Sequence, residues 1–222
     1  MYSIPLDQIT IREFEEIMNT VHLLPSQKGI LHHMNSNLLK LENKGLSNLL
    51  DIQDLLKNKK NYLSVAEAYG IDQEYLIILN QMVNSYKVKT MPLTKLSIFT
   101  EGELTKLATK KIKNTKHYYE AFISEKNRVE LSESIQIPFE SIEYGLRIVD
   151  LLRINGVGVD YAKSLYKIGV RSVHDYNVTS SQSILVSINE LNKIEGTTKA
   201  TLGIDCIDYC RRFTEKLDCD IC

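Results

Sequence analysis

All four cysteines, Cys206, Cys210, Cys219 and Cys222, fall in the last seventeen residues. The C-x3-C pair would share one face of a helix, and the final C-x2-C has the spacing of many zinc knuckles. Four thiolates there could close a tetrahedral zinc site. The other reading is a set of free thiols in a reducing compartment. The adjacent pair His32-His33 would point about 100° apart on a helix and cannot chelate one metal together. No Walker loop, dinucleotide fingerprint, H-E-x-x-H or G-x-S-x-G is present, so the usual phosphate-transfer, redox and hydrolytic chemistries have no anchor.

Two other groupings suit anions. Between Leu104 and Tyr119 the chain carries Lys106, Lys110, Lys111, Lys113 and Lys116 and no acid. Lys106, Lys110 and Lys113 recur at i, i+4, i+7, which predicts one basic helix face, with a solvated face as the plain alternative. Tyr118 and Tyr119 follow, and aromatic neighbours can stack on bases. The second grouping is Ile154-Asn155-Gly156-Val157-Gly158-Val159-Asp160-Tyr161-Ala162-Lys163-Ser164-Leu165. Its pattern h-x-G-h-G-x-x-x-A-x-x-h predicts a helix ending near Ile154, a tight turn through both glycines and a second helix from about Asp160. Glycine permits the turn and close approach of another backbone or a phosphate. Val157 plugs the space between the helices, and Ala162 leaves room for the first to cross. The turn's N–H groups and the second helix's N-terminus would then form an anion site.

The elements that must position these groups read as helices throughout. Thr10-x-x-Glu13 has capping-box spacing, followed by an apolar stripe of Phe14, Ile17, Met18 and Val21. The same period recurs through Leu76, Leu79, Met82 and Val83 and through Ile148, Leu151 and Leu152, and no run shows strand alternation. Internal similarity is also present. Val65–Ile71 aligns with Leu131–Ile137, and without gaps that register pairs Val83 with Val149, Lys87 with Arg153, Phe99 with Leu165 and Leu107 with Val173. A shorter parallel sets Leu41, Gly45, Leu46 and Leu49 against Leu165, Gly169, Val170 and Val173. The expectation is an all-α chain of stacked bihelical units, divided at 1–62, 63–128 and 129–222.

With 222 residues, 43% hydrophobic and 25% charged, the chain can bury a sizeable core and is neither collagen-like nor low-complexity. No stretch is apolar enough for a membrane span, and the start lacks a signal-peptide pattern, so a cytoplasmic protein with no membrane partner is expected. The net charge of −1 means that any surface for nucleic acid must be local.

The residues 151–165 resemble the helix-hairpin-helix family of DNA-backbone binders found in DNA ligases, polymerases, glycosylases and Holliday-junction proteins. The wider arrangement, over roughly residues 20 to 215, is similar to a family of tandem helix-hairpin-helix proteins of unknown function. That resemblance implies tandem helix-hairpin-helix repeats, with one intact hairpin and two degenerate copies. The second copy has Val88-Lys89-Thr90-Met91-Pro92 opposite Ile154–Gly158, and the first has Ile30-Leu31-His32-His33-Met34, both without glycine. Asp160 stands where DNA-binding members often carry Lys or Arg. It also holds the position of the nucleophilic lysine of glycosylase-lyases, so no Schiff base can form there. The expected function is therefore non-enzymatic, sequence-non-specific binding of DNA backbone through Asn155, Gly156, Val157, Gly158 and Lys163, with Lys106, Lys110 and Lys113 as further contacts. The alternative is a protein-interaction or scaffold module whose hairpins serve packing only. No cofactor is expected, with zinc on Cys206, Cys210, Cys219 and Cys222 as the alternative, and no small-molecule substrate is expected.

Overall fold

A computed structural model describes residues 1–21, 23, 25–196 and 202–221. Among these residues the chain is helical with no strand, and two isolated bridges, Thr10 with Asn48 and Pro92 with Asn114, are its only extended pairings. Among the described residues no helix is long and apolar enough to cross a membrane. The chain separates into two compact units, Ile4–Lys87 and Met1–Ser3 together with Val88–Cys222.

The first unit holds α1 (Ile11–Thr20), α2 (Met34–Asn43), α3 (Leu49–Leu55), α4 (Tyr62–Tyr69) and α5 (Gln73–Ser85). Thr10 caps α1 by accepting from the Glu13 N–H at 3.1 Å, and the predicted stripe turns Phe14 and Met18 into the core. Full burial of a side chain such as Phe14 stabilises the fold by about 2–3 kcal/mol. Its ring meets Tyr86 edge to face, with centroids 6.3 Å apart, while Leu76, Leu79, Met82 and Val83 supply the buried face of α5.

The second unit holds α6 (Glu101–Thr109), α7 (Thr115–Phe122), α8 (Glu125–Ile135), α9 (Phe139–Leu151), α10 (Val159–Lys167), α11 (Val173–Val178), α12 (Ser181–Glu195) and α13 (Ile204–Thr214). Helix α9 is the centre, with α7, α8 and α10 packed on it. Leu107, Tyr118, Phe122, Ile142, Leu146 and Val149 are all fully buried there. Gly145 permits that packing. A Cβ on it would lie 2.5 Å from the Tyr118 hydroxyl and 2.7 Å from the Phe99 ring. Glu103 ties α6 to α9 by accepting from Ser141 at 2.6 Å. Burial works to raise its carboxyl pKa, but hydrogen bonds from Ser141 and Thr100 outweigh it and hold it below its ordinary value.

Helix α8 ends in a Schellman turn, with Gln136 left-handed and the Ile137 N–H reaching the Ser132 carbonyl at 3.1 Å, and three other helices end in the same way but on a leucine. After α2, α6 and α10 the N–H two residues past the cap folds back onto a buried leucine carbonyl: Leu46 to Leu41 at 3.2 Å, Ile112 to Leu107 at 3.1 Å, and Val170 to Leu165 at 3.0 Å. The residue before it donates to the next carbonyl along, which completes a Schellman turn each time. That residue must be left-handed: Gly45 and Gly169 both have φ 94°, but Lys111 takes φ 63° in the second turn. A residue with a Cβ gives up about 1 kcal/mol there. The next helix is then capped by Asn48, Asn114 or Ser172.

Two expectations are corrected by these boundaries. Lys106, Lys110 and Lys113 do not share a helix face, because α6 stops at Thr109 and buried Ile112 pulls the chain back. Lys110 is the cap residue and Lys113 lies in the link to α7. The ungapped register also fails partway. Helices α5 and α9 start at 73 and 139, a spacing of 66, whereas α6 and α10 start at 101 and 159, a spacing of 58. The segment before α6 is eight residues longer and includes a 3-10 turn at Leu93–Lys95. Leu107 therefore corresponds in local geometry to Leu165, not Val173.

Candidate nucleic-acid interface

The glycine turn joins α9 to α10 as its sequence predicts. Ile154 is buried and accepts from the Val157 N–H at 3.1 Å, while Val157 and Ala162 are buried between the two helices. Gly156 adopts φ 96°, open to few residues but glycine. Gly158 is the N-cap of α10 with φ −90° and ψ 174°, and no side chain caps the helix. It is exposed, and a Cβ there would meet nothing within 4 Å. The first amides of α10 thus face outward with the positive end of the helix dipole behind them. Asp160 is exposed in that first turn, and Lys163 is half-buried further along α10.

Gly156 is also exposed, but the side of the turn where its side chain would stand is taken by α13. A Cβ on Gly156 would sit 2.7 Å from the Cys210 sulfur and 3.3 Å from the Tyr209 ring, both on α13. Asn155 donates to the Tyr209 hydroxyl at 3.3 Å. Of the predicted contacts, Gly158 is therefore open, Asn155 and Gly156 are engaged by α13, and Val157 is core. Lys106 donates to the Gln136 carbonyl at 2.6 Å, while Lys110 and Lys113 are exposed. No hydrogen bond joins the lysine turn to the glycine turn among the described residues.

Sequence reasoning missed the group that anchors this turn. Arg153, 1% exposed, lies just before it. Its guanidinium reaches Asp150 at 2.5 Å, the Tyr119 hydroxyl at 2.7 Å, and the carbonyls of Tyr2, Met1 and Asp218 at 3.0, 2.8 and 3.1 Å. It also stacks 4.5 Å from the Tyr119 ring centroid. The second Asp150 oxygen accepts from the Val173 N–H at 2.7 Å, which holds the start of α11. Burial raises the Asp150 carboxyl pKa, with Arg153 and the Val173 N–H pulling it back toward the charged form. The i, i+3 spacing of Asp150 and Arg153 was a visible signal, but nothing in the pattern marks the pair as buried.

The described cysteines are not gathered together. Cys206 and Cys219 are exposed and Cys210 is buried. Among the described residues no three His, Cys, Asp or Glu side chains come together as metal ligands. Cys206, Cys210 and Cys219 therefore do not supply three corners of a tetrahedral site, and Cys222 lies outside the described residues. Burial pushes the Cys210 thiol up to about 12, so at neutral pH it is a protonated apolar group. The His32 and His33 rings meet edge to face with centroids 5.2 Å apart, and His33 is the N-cap of α2 with a left-handed backbone.

The fold and site together define an all-helical protein with an uncapped glycine turn at the edge of its larger unit. The chain belongs to the family described as a domain of unknown function (DUF4332), whose model matches residues 97–209. No curated protein and no solved structure matches it.

Proposed function

We propose that this is a non-enzymatic tandem helix-hairpin-helix protein that binds the backbone of DNA without reading its sequence. The intact hairpin is α9–α10, and the segments around α2 and α6 are its degenerate relatives. The observation that carries the reading is the exposed, uncapped N-terminus of α10 at Gly158, with open space where a side chain would stand. Free amides at a helix start suit a phosphate oxygen. The turns after α2, α6 and α10, each closed on a buried leucine and each followed by a helix with a side-chain cap, support the repeat. The missing catalytic lysine at Asp160 leaves no enzyme of the glycosylase-lyase type.

A second reading, a protein-interaction module with hairpins used for packing, is favoured by one feature. Gly156 is abutted by Tyr209 and Cys210, so that glycine serves close approach within the fold. Fluorescence anisotropy with duplex, nicked and branched DNA at low and moderate salt separates the two. Gly158→Asp sharpens the test. A carboxylate there caps the α10 amides and preserves or raises stability, yet it occupies the place of a phosphate. DNA affinity is expected to fall about tenfold, the equivalent of one charge-assisted hydrogen bond of about 1.5 kcal/mol. Unchanged affinity in the variant removes the hairpin from the interface, and no binding by the natural chain at low salt favours the packing module.

A further inference from the structure

We propose that Lys89, Lys95, Lys110, Lys111 and Lys113 form a second phosphate-binding surface, on the α6–α7 turn and the segment paired with it, and that it holds nucleic-acid backbone. The inference shares its partner with the reading above but uses a different surface.

The fold brings the two lysine-bearing segments together by main-chain hydrogen bonds. Leu93 N–H donates to the Lys113 carbonyl at 3.1 Å, Thr115 N–H to the Met91 carbonyl at 2.9 Å, and Met91 N–H to the Thr115 hydroxyl at 3.0 Å. Lys89 and Lys95 flank one side of that pairing, and Lys110, Lys111 and Lys113 lie on the turn that supplies the other. All five side chains are exposed, and among the described residues none has a carboxylate in ion-pair range. Neither 88–100 nor 104–119 contains an acid. The acids bordering these segments include Glu120, paired with Lys116, and Glu103, bonded to Ser141 and Thr100.

The backbone fixes where the α6–α7 turn presents its lysines. In the equivalent turns the left-handed residue is Gly45 or Gly169, which adopts φ near 94° freely. Here that position holds Lys111 at φ 63°. The turn after α8 likewise holds a residue with a side chain, Gln136 at φ 53°, so the left-handed position tolerates a Cβ at a modest cost, and after α6 it presents an exposed cation.

The chemistry of the patch selects the partner. None of the large exposed hydrophobic residues lies between 88 and 119. A protein hot spot needs aromatic or arginine anchors, and an interfacial membrane anchor needs apolar side chains to insert. A rigid frame bearing compact ammonium groups suits the evenly spaced phosphates of nucleic acid.

The test is anisotropy on the full-length chain with a labelled DNA duplex between about 50 and 200 mM salt. Lys110→Glu/Lys113→Glu is expected to weaken binding at least tenfold and to reduce the salt slope by about two, one for each phosphate no longer neutralised. Lys111→Gly is expected to melt higher than the natural chain yet bind more weakly, with the slope lower by about one. Lys57→Glu/Lys59→Glu/Lys60→Glu alters charge in the other unit and should bind as the natural chain does. The proposal falls if the turn variants keep natural affinity and slope, if the control loses as much as they do, or if the chain binds phosphatidylserine vesicles and not DNA. Gly158→Asp separates the surfaces. Weaker binding in that variant alone leaves only the hairpin, whereas weaker binding in the lysine variants alone leaves only this surface.

Discussion

Asp150→Ala is expected to lower the stability of the chain by about 3–5 kcal/mol in urea unfolding, the usual cost of breaking a buried ion pair from one side. The variant leaves the Arg153 guanidinium in place, 1% exposed, with its carboxylate partner gone. It also removes the acceptor of the Val173 N–H, a second buried group left unsatisfied at about 1–3 kcal/mol. The remaining Arg153 bonds go to three carbonyls and one hydroxyl, which share the charge without neutralising it. Asp150→Ala/Arg153→Met should recover part of the loss, because an apolar pair replaces the ions, although the Val173 amide and the buried Tyr2 carbonyl both lose their partners. A single-variant loss below about 1 kcal/mol would mean that water reaches the guanidinium.

Gly145→Val is expected to cost about 3 kcal/mol, at the upper end of what overpacking a core does. The bare Cβ already meets the Phe99 ring at 2.7 and 3.0 Å and the Tyr118 hydroxyl at 2.5 Å, and valine adds two methyl groups beyond it. Neither neighbour yields easily. Tyr118 is fully buried, donates to the Ile142 carbonyl at 3.0 Å and packs on Phe122 with centroids 4.6 Å apart. Gly145→Ala should cost less, since a helix gains up to about 1 kcal/mol when alanine replaces glycine. Combining it with Tyr118→Phe, which removes the closest atom, should recover more still. Thermal melts of the three variants decide the matter, and a Gly145→Val chain as stable as the natural one would show that α9 can move off its neighbours.

The two largest effects come from residues that pattern reading passed over. Glycine in the middle of a helical run looks only like a weak helix former, since the close approach of Phe99 depends on residues far away in sequence. Asp150 and Arg153 look like an ordinary exposed i, i+3 pair until Tyr2 and Asp218 arrive from opposite ends of the chain. What was legible depended on local chemistry. The α1 cap at Thr10, the plug at Val157, the small Ala162 and the bend at Gly156 all follow from side-chain size and backbone freedom. So did the parallel between Gly45 and Gly169. The end of α6 was not legible, because a lysine in the left-handed position carries no glycine signal and the lysine periodicity runs straight through it. The eight extra residues before α6 were hidden for a similar reason, as apolar residues on either side of the insertion still fell opposite one another.

The closeness of Cys210 to the glycine turn turns that thiol into a clock for the hairpin. Its sulfur fills the volume beside Gly156 and the residue is 3% exposed, so an alkylating reagent can reach it only while α13 has lifted away. In rapid pre-equilibrium, the labelling rate of Cys210, compared with that of exposed Cys206 four residues earlier on the same helix, reads out how often the bend and α13 part. A DNA ligand seated on the turn without disturbing α13 would leave that rate unaltered, whereas one that has to pry the two apart would hasten it.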